Sequence, residues 1–411
     1  MLKKRRIVIT GLGCISPVGN SVKKMWNSIK KGKSGINIIK KFDTSLIPIK
    51  FAGEVKNFNI NNYISVKNSR CIDRFVHFGI ASGIQAIKNS NLDILNIDKN
   101  RVGIIIGSGF GGISIFEKTY KNFLFNNFYK INPFFITSSI INMISANLSI
   151  KYGFKGPNLS ITNGCTTALH CIGLAFRMIQ YGDADIIIAG GSEASITPLC
   201  ISSFFSIGAL SKRNNDYKTA SRPWDKNRDG FVLGEGSGVM ILEEYEHAKL
   251  RNAKIYAELL GFGMTNDAFH ITNPKIEGLV NSINLALLDA NINSCDIQYI
   301  NAHGTSTKIG DKKETDVIKM VFKKYAYDII INSTKSMTGH LLGASAGIES
   351  IITVLALYYQ ISPPTINIFS QDKECDLDYC ANKFRKLKIN FAMKNSWGFG
   401  GVNGTLIFKK I

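Results

Sequence analysis

Two stretches of this chain are apolar on every side of a helix, and a helix with no polar face has to lie inside the protein. The first covers residues 165–181, with apolar side chains at 165, 168, 169, 172, 175, 176 and 179 and Gly182 placed to close it. The second covers about 343–359 and carries Ile348, Ile351, Ile352, Leu355 and Leu357. Burying two such helices requires covering layers, and short apolar runs supply them. Residues 7–10 (ending in Gly-Leu-Gly), 102–107 (before a glycine loop), 185–191, 297–300 and 329–332 read as strands. Strands alternating with helical segments predict an α/β architecture. Each half offers strands plus one buried helix entered from a polar turn, which suggests a weak internal duplication. The charged run 243–251 reads as a solvated helix or turn joining the halves, 1–252 and 253–411.

A length of 411 residues corresponds to two or three domain-sized units at about 150 residues each. With 45% hydrophobic residues, global disorder is excluded. Fifty Lys and Arg against thirty Asp and Glu give a net charge of +20, which fits an acidic partner. The lysines are spread along a chain also rich in Ile and Asn, with no arginine-rich tail or zinc-finger spacing. They predict a generally basic surface rather than a nucleic-acid-binding device. The eight cysteines form no Cys-x-x-Cys pair. The basic start is followed by an apolar run too short for a signal segment, and no continuous apolar stretch reaches membrane-span length. The expectation is a reduced, cytoplasmic protein with no membrane span and no nucleic-acid partner.

Cys165 stands between a strand-like run and the first apolar helix. A thiol at a helix N-terminus meets free N–H groups and the positive dipole end, which predicts a lowered pKa and nucleophilic character. The plainer reading is a small buried hydrophobe, which is how Cys171, farther down the same helix, is read. Of six histidines, two end strands in hydroxyl-rich turns: His303 in Asn301-Ala-His-Gly-Thr-Ser-Thr307 and His340 in Ser333-Thr-Lys-Ser-Met-Thr-Gly-His340. One such histidine is most simply a structural hydrogen-bonder; two in matching turns, beside a candidate nucleophile, point to a site. No cysteine or carboxylate lies at zinc-ligand spacing from them, so no metal is expected. Glycines 398, 400, 401 and 404 in Asn395-Ser-Trp-Gly-Phe-Gly-Gly-Val-Asn-Gly404 suggest close backbone approach, with Phe399 on a mobile backbone suited to a gate.

The cysteine turn, the two histidine turns and Gly-Phe-Gly-Gly together resemble the β-ketoacyl-[acyl-carrier-protein] synthases, most of all the synthase II type of fatty-acid elongation. The resemblance runs from the strand at 8–13 through Ser221-Arg-Pro-Trp-Asp-Lys-Asn-Arg-Asp-Gly-Phe-Val-Leu-Gly234 to residues 406–409. It implies a thiolase-like fold of five layers, α-β-α-β-α, built from two similar halves, and a homodimer. It implies decarboxylative condensation of an acyl-cysteine with malonyl-carrier, no cofactor, and an acyl carrier protein as partner. Matched by position, Cys165 is the nucleophile, His303 and His340 the histidine pair, Lys335 the lysine before the second histidine, and Glu349 a supporting glutamate. Phe399 is the gate, its N–H sharing an oxyanion hole with that of Cys165. Thr272, Thr305 and Thr307 line the malonyl-pantetheine channel, and Phe110 stands at a point along the acyl pocket where isoleucine is usual. Phe135 approaches that pocket from the partner subunit. Lys67, Arg70 and Lys130 fall on the carrier-docking patch, with Lys212 and Arg213 nearby and Gly208 where the family has arginine. Gly164 replaces a usual alanine and Val402 a usual threonine, departures expected to loosen the loops they stand in. A cysteine hydrolase would need one histidine oriented by Asn or Asp, a thiolase a second cysteine near the C-terminal loop, and a non-catalytic chain-length subunit would lack Cys165.

Overall fold

The computed structural model describes residues 4–126 and 131–411. The strands that position the site are β1 (Ile7–Ile15), β2 (Val102–Gly107), β3 (Asn158–Leu159), β4 (Ile186–Glu193), β5 (Gly236–Glu244), β6 (Ala257–Asn266), β7 (Tyr299–Asn301), β8 (Ile330–Asn332), β9 (Phe391–Gly398) and β10 (Val402–Lys409). They lie in the order β8-β7-β9-β10-β6-β1-β5-β4-β2-β3. At the centre β1 and β6 pair only over Ile7–Ile9 and Ala257–Leu259, so two five-stranded sheets meet at one seam. Moving outward from the seam, both sheets show the same sequence of pairings. β1 with β5 and β5 with β4 are antiparallel, and β4 with β2 and β2 with β3 are parallel. β6 with β10 and β10 with β9 are antiparallel, and β9 with β7 and β7 with β8 are parallel. The suspected duplication is therefore carried by topology.

Alternation along each strand divides its side chains between two cores. Ile104, Ile106, Ile186, Ile188, Val239 and Ile241 face one side with helices α1 (Arg74–Ser90) and α2 (Met143–Tyr152). Their neighbours Ile105, Ile187, Ala189, Met240 and Leu242 face the opposite side, against α3 (Thr167–Tyr181). In the second sheet Leu406 and Phe408 face that same central core, while Ile407, Ile300 and Met393 face α4 (Ile276–Ala290) and α5 (Lys308–Phe322). The central core also holds α6 (Ser345–Tyr359), so α3 and α6 form a middle layer between two sheets, with α1/α2 and α4/α5 outside. That is the five-layer thiolase-like arrangement. Residues Leu342–Tyr359 are long and apolar enough to cross a membrane, but they are apolar because they are buried inside the protein.

Two local readings are corrected. The first strand does not turn at Gly-Leu-Gly; β1 passes through Gly11 and Gly13, with a bulge after Ile9, and ends at Ile15. Its glycines serve packing: a Cβ on Gly13 would lie 2.0 Å from the Ser82 carbonyl oxygen of α1, and one on Gly11 2.4 Å from that of Ala86. The second half repeats this contact, with Gly263 at 1.9 Å from the Ser282 oxygen and Gly261 at 2.4 Å from that of Ala286 on α4. The charged run after β5 is also not simply solvated. Glu243 is fully buried and accepts from Thr10 Oγ1 (2.7 Å), Arg251 Nε (2.6 Å) and Arg251 Nη2 (2.7 Å), with His247 Nδ1 at 2.7 Å. A carboxylate can occupy the end of a buried strand because every oxygen finds a donor.

A methyl group at either inner glycine has to push a helix backbone off a strand. Gly13→Ala and Gly263→Ala are each expected to destabilise the fold by about 2–3 kcal/mol, the upper range of overpacking. Denaturant midpoints of the two variants measure this, and midpoints equal to the parent's would mean that the helices relax freely.

Candidate active site

Cys165 lies in a single 3-10 turn, Gly164–Thr166, that leads into α3. Gly164 has φ of +53°, a left-handed conformation that costs other residues about 1–2 kcal/mol. Glycine therefore suits this bend, where alanine would be strained. His340 follows the short helix Lys335–Thr338 and Gly339, and His303 comes two residues after β7. Phe399 begins the turn between β9 and β10, and its carbonyl oxygen would lie 3.9 Å from a Cβ on Gly164. The middle-layer helix starts and the ends of β7 and β9 thus converge on one point.

Cys165 Sγ and His340 Nε2 are 3.0 Å apart. The other ring nitrogen settles the tautomer: Nδ1 accepts the Leu342 backbone N–H at 3.3 Å, so the proton sits on Nε2. Ser345 Oγ accepts the Leu341 N–H at 2.7 Å and turns its own hydrogen to Nδ1 at 2.8 Å. His340 therefore offers an N–H to the sulfur. The His303 ring lies 5.5 Å away at 86°, and its Nδ1 is buried with no partner. A bare acceptor is less costly to bury than an unpaired N–H, which puts the proton of His303 on Nε2 too. Burial, reinforced by the charge of Lys335, lowers His340 to about 3 and His303 well below the ordinary imidazole value. Both rings are neutral donors.

The thiol departs from expectation. Cys165 keeps some accessible surface, yet desolvation pushes its pKa up to about 12 against the opposing pull of Lys335. The reason is its setting: the turn is covered by His340 and by the β9–β10 hairpin, where a Cβ on Gly398 would come within 3.3 Å of the Cys165 nitrogen. Behind the histidines lies a buried charge cluster. Lys335 Nζ donates to Glu349 Oε1 at 2.5 Å, and Lys394 Nζ lies 2.7 Å from Glu349 Oε2. Burial alone would raise Glu349, but the two lysines hold it down at about 2.

Sequence reasoning missed Lys394, Glu314, Ser345 and Glu193. Lys394 had a visible signal, since it follows Ala392 at the two-residue period of an inward strand face. Glu314 accepts the backbone N–H groups of His303 and Gly304 at 2.8 and 2.7 Å. Glu193 accepts those of Gly109 and Gly343 at 2.8 and 3.1 Å, tying the loop after β2 to the turn after His340. Both are long-range partners of backbone groups, which no local pattern announces.

A row of rings links the half-exposed Phe110 to His340. Centroids are 6.0 Å apart from Phe110 to Phe204, 5.5 Å from Phe204 to Phe231 and 5.3 Å from Phe231 to His340, each pair edge to face. Thr305 and Thr307 meet at the start of α5, their hydroxyls 3.1 Å apart. Thr272 is exposed on the rim, in a loop whose Ile271 carbonyl accepts the Gly400 N–H at 2.6 Å. Phe135 is not placed at this chain's own cysteine; its ring packs on Phe116 at 5.0 Å. Lys67 and Arg70 are exposed on and just after the one-turn helix Val66–Ser69, whereas Lys130 lies outside the described residues. Arg213 pairs with Asp229 at 3.3 Å, and Lys212 Nζ lies over the Phe205 ring at 5.3 Å. Gly208 is open to solvent, with nothing within 4 Å of an added Cβ. Val402 pairs with Gly398 across the hairpin. Among the described residues no group of three or more His, Cys, Asp or Glu is arranged to hold a metal ion.

Comparison with known proteins agrees over the whole chain. Residues 4–248 match the beta-ketoacyl synthase N-terminal domain and residues 256–369 its C-terminal domain. The chain is 49% identical to 3-oxoacyl-[acyl-carrier-protein] synthase 2 of Vibrio harveyi and 50% identical to that of Coxiella burnetii, with 100% of each protein covered. Among solved structures it resembles a type II polyketide ketosynthase in complex with its acyl-carrier protein, with a TM-score of 0.92, 35% identity and 100% of both chains covered. A beta-ketoacyl synthase from Burkholderia phymatum superimposes with a TM-score of 0.93 at 28% identity, over 99% of this chain and 100% of that one.

An ordinary imidazole takes up its proton near pH 6.5. A lowered pKa keeps the neutral form as pH falls through that value, and the loss comes only near the lowered one. Malonyl-thioester decarboxylation by this protein is therefore expected to be flat from about pH 5 to 7. Initial rates across that range test it; an acid limb centred near 6.5 in the parent, absent from His303→Asn or His340→Asn, would contradict it.

Proposed function

This chain belongs to the β-ketoacyl synthase family and catalyses an acyl-transferring condensation of fatty-acid elongation; we propose that Cys165, His303 and His340 carry its two half-reactions. The observation behind this is a sulfur 3.0 Å from one imidazole N–H, with a second neutral imidazole facing the first. In the first half-reaction Cys165 sulfur attacks an acyl thioester, the bond to the carrier sulfur breaks, and the thiol proton ends on the departing carrier thiolate. The Nε2–H of His340 helps to stabilise negative charge on Cys165 sulfur as its proton leaves. The backbone N–H groups of Cys165 and Phe399 hold the tetrahedral oxyanion.

In the second half-reaction malonyl-carrier loses its carboxylate as carbon dioxide. The electron pair of the broken C–C bond passes into an enolate, whose oxygen receives the two Nε2–H groups. One donor of this kind typically contributes about 3–4 kcal/mol to the transition state. The enolate carbon then attacks the acyl-cysteine carbonyl, and Cys165 sulfur leaves with its proton restored from solvent. Because decarboxylation creates the carbanion, the site needs hydrogen-bond donors and no carboxylate base, a need that neutral imidazoles meet. Lys335 and Glu349 fix the charge around the rings. Thr272, Thr305 and Thr307 line the approach of the malonyl-pantetheine arm.

The partner in this reading is an acidic acyl carrier protein, met by the exposed Lys67 and Arg70, to which the family resemblance adds Lys130. A second copy of the chain brings Phe135 to the acyl pocket as a homodimer. The apolar surface beside Phe135, with Phe116, Phe123, Leu124 and Phe134 exposed, supports such pairing. A cytoplasmic setting and a division into halves 1–252 and 253–411 belong to the same reading.

Intact-mass measurement separates the half-reactions. Cys165→Ala is expected to form no acyl-enzyme and no condensation product, while His303→Ala and His340→Ala acylate Cys165 measurably but lose malonyl decarboxylation by about 100-fold or more. Histidine variants that decarboxylate normally yet fail to acylate would reverse the assignment. The ring row predicts selectivity as well. With a rigid phenylalanine at its far end, the pocket is expected to handle short and medium primers well and long ones poorly, and Phe110→Ile to restore long-primer kcat/KM by about tenfold with little change for the shortest. Parallel profiles for both proteins across a graded primer series would mean that Phe110 does not set the limit.

A further inference from the structure

No protein group hydrogen-bonds His303 Nδ1, so among protein contacts the ring is aimed by the backbone that carries it and by packing. That backbone is gripped from both sides at one peptide group. Lys394 Nζ donates to the Ala302 carbonyl oxygen at 3.1 Å, and the N–H of the same peptide, that of His303, donates to Glu314 Oε1 at 2.8 Å. Lys394 comes from β9, where it pairs in register with Asn301 of β7, one residue before that carbonyl. Its ammonium is fully buried and also lies 2.7 Å from Glu349 Oε2, whose other oxygen is held by Lys335 at 2.5 Å. The charged and titratable groups around it are thus Glu349, Glu314, Lys335, His303 and His340, and counting Lys394 itself two acids face two lysines.

We propose that Lys394 is a positioning residue for the decarboxylation half-reaction: its ammonium holds the Ala302–His303 peptide so that His303 Nε2–H points at the enolate oxygen. The proposal rests on the roles given above to Cys165, His303 and His340, and it adds a residue that touches neither substrate nor sulfur. Lys394 grips the peptide of His303, whereas Cys165 and His340 meet through their own turns. Its loss should therefore fall mainly on the malonyl step. A displacement of a catalytic group by about 1 Å can cost about 100-fold in rate.

The experiment compares three rates in the full-length protein: acylation of Cys165 by a short acyl thioester, malonyl-thioester decarboxylation, and complete condensation. Parent enzyme that fails to condense would refute the family-based roles themselves; parent enzyme that condenses isolates the present question. Lys394→Met, similar in length and uncharged, is expected to lower decarboxylation about 100-fold and acylation by less than about tenfold. Lys394→Ala leaves room for a free cation, and ammonium or methylammonium chloride is expected to raise its decarboxylation rate about tenfold over sodium chloride at equal ionic strength, with no such effect on the parent. If Lys394→Met does not fold, Lys394→Ala prepared in ammonium chloride and assayed with and without it carries the comparison. Equal losses in both half-reactions, or an alanine variant indifferent to ammonium, would overturn the proposal.

Discussion

Glu349 is the only charged residue of α6, a helix otherwise built of apolar and small side chains, and it stands where water does not reach. An ion buried without a partner costs several kcal/mol, so the carboxylate must be matched wherever the chain puts it. Its two partners arrive from different elements, Lys335 from the turn that carries His340 and Lys394 from β9 of the second sheet. A middle-layer helix, a histidine turn and a strand are thereby tied at one point. The cluster is poor evidence for net stability, since packed hydrocarbon of the same volume would serve as well. What it supplies is registry: the histidine turns cannot shift relative to the middle layer without separating charges in a medium that penalises it.

That registry explains why the site can work with uncharged imidazoles. Two lysines next to the rings oppose any further positive charge, and exclusion of water removes the solvation an imidazolium would need. The same surroundings make the free thiol reluctant to ionise, so the site is not poised as a resting thiolate. In the proposed reaction reactivity is instead distributed: the sulfur meets an N–H at the moment it needs one, and the donors are already oriented when negative charge appears. Preorganised donors in a water-poor site are worth more than the same groups in solution.

Much of this was legible in the sequence, and the parts that were not share a cause. All-round apolar spacing at 165–181 and 343–359 gave the buried middle layer, and strand-end turns rich in glycine and hydroxyl groups gave Cys165, His303 and His340. Local patterns carry that kind of information. The behaviour of the thiol did not follow from its place before a helix, because the cover over it comes from residues 398–399, more than two hundred positions away. Glu243 looked solvated because Thr10 reaches it from β1 across the fold, while Arg251 of the same run folds back onto it. Lys394 passed unnoticed among strand residues because its partners Ala302 and Glu349 lie on other elements.

The matched glycine contacts have a mechanical consequence. Where α1 crosses Gly11 and Gly13, and α4 crosses Gly261 and Gly263, helix backbone rests on strand backbone with no side chains between to yield. These contacts fall on β1 and β6, the very strands that join the two sheets through only three residue pairs. A junction so short would ordinarily be the place for a hinge. Clamped from each outer layer, the seam between the two sheets has little room to bend.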